Sequence, residues 1–164
     1  MAITVYRIQT DRHRESILDG LGAQLHGGRW NVKGRPMLYT ATTPELCFLE
    51  YIVHLEGTPL ADLPPLILCE IAVPDHSITF LSADQLPLGW DDPYATPVGL
   101  PRFADEQFQL HGSLGLGVPS AVIPLSPSRN VLIDPLHAQG KACKVLTIQP
   151  YRIDPRLPTA AITW

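Results

Sequence analysis

Glu50 and His54 stand four residues apart in a stretch, Pro44 to Glu56, that otherwise carries Leu46, Phe48, Leu49, Ile52, Val53 and Leu55. At about 100° per residue these apolar side chains cover nearly the whole circumference of a helix. The pattern therefore predicts a buried helix. Glu50 and His54 share one edge of it, flanked by Leu46, Val53 and Cys47. A carboxylate in such a place must be paired or must line a cleft, because isolated burial is costly. Two readings stand: Glu50 is a structural partner of His54 or of an arginine, or it works in a site. If Glu50 is structural, Glu70 on the next strand is the next candidate carboxylate.

Arg29 follows Gly27-Gly28 and precedes Trp30-Asn31. Glycines let a ligand approach the backbone closely, and a guanidinium can then grip an anion with two parallel hydrogen bonds. A surface arginine in a turn beside a core tryptophan explains the same residues. Val118-Pro119-Ser120-Ala121 puts a hydroxyl at the mouth of an apolar strand. Such a serine can face a cleft or satisfy nearby backbone. Tyr39, in a short strand, is read as a core or rim residue on local grounds.

Several chemistries are excluded by what is missing. The closest approach to a dinucleotide fingerprint, Gly115-Leu116-Gly117-Val118-Pro119-Ser120, has proline where a helix should start. There is no phosphate loop and no G-x-S-x-G serine. No two histidines have the i, i+4 spacing of a helical zinc site, so no metal is expected. Cys47, Cys69 and Cys143 form no C-x-x-C motif and no disulfide framework.

These residues need a scaffold, and 164 residues suffice for one domain with one core. Charged residues make up 17% of the chain, below the usual ~25%. The 17 prolines and 12 glycines predict many turns and few long helices. A formal charge of −4 argues against direct DNA or RNA binding. No signal segment or membrane-spanning run is apparent, so a cytoplasmic, membrane-free protein is expected.

Strands are expected at Ile3–Ile8, Met37–Ala41, Leu66–Val73, Pro119–Pro124, Asn130–Ile133 and Cys143–Ile148. A short helix is expected at Arg14–Asp19, ended by Gly20 and Gly22, and another at Ala104–His111. Thr43-Pro44-Glu45 starts the central helix, which runs to Glu56 with Gly57 as its stop. Asp75–Pro101 reads as loop. Short strands with two or three irregularly spaced helices imply an α+β fold. The domain is set at 1–153, with 154–164 as a tail.

Taken in order, Arg29-Trp30-Asn31, Gly34, Tyr39, Glu50, Val118-Pro119-Ser120-Ala121 and Asn130 resemble the RES domain family, named for its arginine, glutamate and serine. Tyr6-Arg7, Trp90 and Asp134-Pro135-Leu136-His137 match in order too. The last run departs from the Asn-Pro-x-His-Pro often seen in the family. The resemblance implies a single domain with the ADP-ribosyltransferase fold: a short-stranded β core with a few helices. It implies the toxin of a bacterial toxin–antitoxin pair that depletes NAD+ by cleaving the nicotinamide–ribose bond, by hydrolysis or phosphorolysis. Transfer of ADP-ribose to a protein, or an inert antitoxin-binding module, are the alternatives. NAD+ is then a substrate, and no cofactor is needed.

On this reading Glu50 stabilises the oxocarbenium-like ribose, as carboxylates do in glycoside hydrolysis. Arg29, with Arg7, grips the pyrophosphate. Tyr39 stacks on the nicotinamide, and Ser120 bonds the ribose or carboxamide. Trp30, Asn31 and Asn130 complete the expected NAD+-binding set. The resemblance also implies an Xre-type helix-turn-helix antitoxin as partner, contact with DNA only through it, and a toxin homodimer.

Overall fold

The computed structural model describes residues 1–55 and 58–157. Seven strands form one mixed sheet: β1 (Ala2–Thr10), β2 (Leu38–Ala41), β3 (Leu66–Pro74), β4 (Ile78–Phe80), β5 (Gly115–Pro119), β6 (Arg129–Ile133) and β7 (Lys144–Tyr151). Their order is β4-β5-β6-β2-β1-β3-β7. β4 and β5 run parallel; every other neighbouring pair is antiparallel. Three α-helices accompany them: α1 (Leu21–His26), α2 (Pro44–Val53) and α3 (Leu100–His111). The α+β architecture expected from the sequence is the one observed.

Side chains alternate across a strand with a period of two. In β3, Ile67, Cys69, Ile71 and Val73 are buried on one face, with Val5, Leu38, Val131 and Ile133 from neighbouring strands. Leu66 and Ile8 turn the other way and meet Leu46 and Cys47 of α2. Farther along the sheet, Leu116, Val118 and Leu132 pack with Trp30, Trp90 and the α3 residues Leu100, Ala104 and Phe108. Two separate clusters therefore cover this second side, and a cleft opens where they meet.

The structure differs from the sequence reading in several places. The segment expected as a helix at Arg14–Asp19 is a 3-10 turn at Asp11–Ser16, and α1 follows it. Gly20 caps the start of α1 and Gly22 lies inside it, so neither glycine ends a helix. Helix α2 ends at Val53, where the backbone N–H of His54 turns back to Tyr51. Glu56 and Gly57 lie outside the described residues, as do residues 158–164 of the expected tail. Nor is α2 buried all round: Leu46 and Cys47 are, but Val53 is 51% exposed. Its full apolar circumference meets the sheet on one side only.

The strand expected at Pro119–Pro124 ends where it was to begin. Gly115–Pro119 is the strand instead, and β4 was hidden in a stretch read as loop. Gly117 explains both. A Cβ there would run into the ring of Phe80 on neighbouring β4, so glycine is what lets the two strands pair.

Candidate functional site

The cleft between the two clusters has a volume of about 710 Å³. β1 and its following turn contribute Arg7 and Arg12; α1 and the next loop contribute His26 to Trp30. β2 contributes Tyr39, α2 contributes Cys47 and Glu50 with His54 capping its end, and β6 contributes Asn130. Glu50 is the one carboxylate on this wall among the described residues.

Helix α2 is launched as its sequence requires. Thr43 is extended, its hydroxyl accepts from the N–H of Leu46 at 3.3 Å, and Pro44 takes the first turn. The launch is fixed to β6, because Thr42 N–H donates to Arg129 O and Arg129 N–H donates to the Thr42 hydroxyl, both at 2.9 Å. Two turns on, Glu50 leans into the cleft with 22% of its side chain exposed. Its Oε1 accepts the Ser120 hydroxyl at 2.7 Å and also the Asn130 side-chain amide. Its Oε2 has His54 Nε2 3.8 Å away. One oxygen is thus anchored by two donors, and the other lies beside an imidazole that also lines the cleft.

Ser120 is 1% exposed. Its hydroxyl donates a hydrogen bond to Glu50 and accepts from the N–H groups of Val122 at 3.0 Å and Ile123 at 3.3 Å. It stands behind the carboxylate, so the geometry makes it a positioning residue; direct contact with a ligand was the sequence expectation. Asn31 is likewise 1% exposed. Its amide donates to the carbonyls of Ala23, Val32 and Arg35, and its oxygen accepts the Tyr39 hydroxyl at 2.7 Å. Asn31 braces the loop from inside and lies off the cleft wall.

Tyr39 combines two roles. Its ring lines the cleft, and its hydroxyl also accepts from the Trp30 N–H at 3.1 Å. Burial pushes its phenol well above the ordinary range, so it stays a neutral donor. Gly28 packs directly over that hydroxyl; a Cβ there would come within 3.0 Å of Asn31 Oδ1 and closer still to the tyrosine oxygen. The Gly27-Gly28 pair thus holds the loop down on Tyr39. Trp30 touches the cleft but is 3% exposed and belongs mainly to the core.

Arg29 bonds the carbonyls of Trp90 at 2.8 Å and Asp92 at 3.0 Å, pinning the loop after residue 90 to the cleft rim. Arg7 sits where β1 and β2 part. These strands share a single register pair, Tyr6 opposite Ala41, and beyond it the Arg7 guanidinium donates to Tyr39 O at 2.9 Å. Burial lowers its pKa from the ordinary arginine value. Burial also pushes the Cys47 thiol up to about 12, so it stays protonated. Glu70 lies on β3 between Tyr6 and Thr147, outside the cleft wall.

Sequence reasoning missed Arg12 and His26 as wall residues; they carry no motif. It also passed over Arg35. Arg35 makes a bidentate pair with Asp134, both bonds at 3.0 Å, and another bond to Asp105 at 3.1 Å. This clamp ties the loop leading into β2 to α3 and to the end of β6. Asp134 stands where the resembling family often has asparagine, which was the available signal.

The family model described as RES domain matches residues 4–154. A protein called Toxin Res from Photorhabdus laumondii subsp. laumondii is 36% identical over 80% of this chain and 81% of its own length. A protein called Prs ADP-ribosylating toxin from a Sphingobium species is 35% identical over 96% of this chain and 98% of its own. Among solved structures, the M. tuberculosis MbcT-MbcA toxin-antitoxin complex contains a chain that superposes with a TM-score of 0.68 at 21% identity, covering 92% of this chain and 85% of that one.

Proposed function

The chain belongs to the RES domain family, and on that footing we propose that it is the toxin of a bacterial toxin–antitoxin pair that consumes NAD+ by breaking the nicotinamide–ribose bond. The carrying observation is the Glu50 carboxylate on the cleft wall, fixed through one oxygen by Ser120 and Asn130 and with the other beside His54. Nicotinamide leaves NAD+ as a neutral base, so no general acid is needed. The barrier lies in the positive charge that builds on the ribose. A fixed carboxylate stabilises that charge without reorganising during the reaction. Tyr39 offers an aromatic face for the cationic nicotinamide ring. Arg7, Arg12 and Arg29 make the surrounding wall cationic, which suits a pyrophosphate. Arg29 reaches that pyrophosphate by exchanging its two backbone carbonyls for phosphate oxygens.

The partner on this reading is an Xre-type antitoxin that carries the DNA contact, and the place of action is the cytoplasm. That the structural neighbour was solved as a toxin-antitoxin complex supports such a partner. The name of the Sphingobium relative favours a second reading, transfer of ADP-ribose to a protein. One experiment addresses both. Purified wild type and Glu50→Gln are incubated with NAD+ labelled in the adenylate half, with and without phosphate and with cell lysate. Free ADP-ribose means hydrolysis, ADP-ribose-1″-phosphate means phosphorolysis, and labelled protein means transfer. Glu50→Gln keeps the shape and the anchor bonds but loses the charge, so turnover should fall by roughly a hundredfold, with NAD+ affinity retained. Wild-type protein that releases no nicotinamide under any condition refutes the proposal.

A further inference from the structure

Breaking the nicotinamide–ribose bond is half the reaction; an acceptor must then bond the ribose carbon, and an acceptor that attacks through an O–H, such as water, must lose its proton. We propose that His54 is the base that takes that proton, so that Glu50 and His54 form an acceptor subsite for an O–H nucleophile. The inference rests on the NAD+ reading and adds a catalytic residue to it.

Elimination points to His54. A carboxylate that takes the acceptor's proton gives up the charge that opposes the ribose cation, so Glu50 cannot do both at once. No second carboxylate lines the cleft among the described residues. Tyr39 is committed to Asn31 and Trp30, the Cys47 thiol is held protonated by burial, and burial likewise raises the Tyr51 phenol, which stays protonated. The arginines of the wall are proton donors only. Two imidazoles remain. His26 ends α1 and makes no ion pair with Glu50, whereas His54 Nε2 lies 3.8 Å from Glu50 Oε2.

The geometry suits a base rather than a permanent partner. At 3.8 Å the imidazole and the carboxylate oxygen are too far apart for a direct hydrogen bond. An acceptor O–H seated against both can face the ribose carbon held by Oε2. His54 caps the C-terminal end of α2, and 69% of its side chain is exposed, so the proton it collects passes directly to solvent. The step balances. The carbon–nitrogen bond breaks with its electron pair going to nicotinamide, which leaves neutral. The acceptor oxygen bonds the ribose carbon, and its proton moves to Nε2. The imidazolium formed stands beside Glu50 Oε2, which stabilises it until it is deprotonated.

The test uses the full chain, with NAD+ as substrate and nicotinamide release as readout, on wild type, His54→Ala and His54→Gln. Because His54 is exposed, both variants should melt near wild type. Both should lose about a hundredfold in kcat, the usual scale for one general base, with KM little changed. Added imidazole should restore turnover in His54→Ala in proportion to its concentration, and should leave wild type and His54→Gln unmoved. Wild-type kcat in His54→Ala, or a loss that imidazole does not restore, overturns the assignment while the NAD+ reading stands. A wild type that releases no nicotinamide overturns both.

Discussion

Replacing Ser120 with alanine removes one oxygen that makes three hydrogen bonds: one donated to Glu50 Oε1 at 2.7 Å and two accepted from Val122 and Ile123 N–H groups at 3.0 and 3.3 Å. The bond to the carboxylate is charge-assisted, and such bonds contribute about 1.5–3 kcal/mol. Asn130 still donates to the same oxygen, so Glu50 stays in place but is held by one donor where there were two. If that bond serves to aim Oε2 at the developing ribose charge, most of its energy is lost from the transition state. The expected fall in kcat is then roughly tenfold to a hundredfold. The two freed N–H groups lie in a partly exposed segment that water can reach, so the stability cost should come mainly from the lost bond to Glu50: about 1.5–3 kcal/mol, or roughly 3–12 °C in Tm.

The diagnostic is the split between kcat and KM, measured by nicotinamide release on folded Ser120→Ala protein. A residue that acts through Glu50 lowers kcat and leaves KM near wild type. A residue that touches the ribose or the carboxamide raises KM as well. A large rise in KM with kcat retained would refute the positioning role and restore Ser120 as a ligand-binding residue.

Tyr39→Phe keeps the ring but loses the bonds to Asn31 and the Trp30 N–H, so it should lower Tm and weaken NAD+ binding measurably, by less than Tyr39→Ala; wild-type melting in Tyr39→Phe would contradict the bracing role. Asp134→Asn breaks the bidentate clamp on Arg35 and should cost about 1–3 kcal/mol in a denaturant titration, since the pair is largely shielded; an unchanged midpoint would reduce the clamp to a surface contact.

The central helix was legible because its start is written locally: Thr43, Pro44 and Glu45 are a cap, a first-turn residue and an acidic first turn, and all three work over a few residues. Its exposure was misjudged because apolar residues all round a helix record how sticky it is, and say nothing of how many sides the sheet can reach. Val53 and its neighbours are left in or near solvent for that reason. The strand at Gly115–Pro119 was missed for the opposite reason: its glycines look like a loop, and only the ring of Phe80, 37 residues earlier, explains one of them.

Arg29, Tyr39, Glu50 and Ser120 do converge, but the part each plays depends on strand order, which no local pattern contains. β6 pairs with β2, setting Asn130 opposite Ala41, just before α2 begins. β5 pairs with β6 on its other side, with Val118 opposite Asn130, so the chain leaving β5 brings Ser120 up behind the same helix. Two donors, Asn130 on β6 at the cleft wall and Ser120 just past the end of β5 behind it, thus arrive at one oxygen of one carboxylate. From sequence alone, a serine after a proline at a strand end can only be guessed to face a ligand. In this sheet it faces the residue that would face the ligand, and the distinction turns Ser120 from a binding group into the reason Glu50 points where it does.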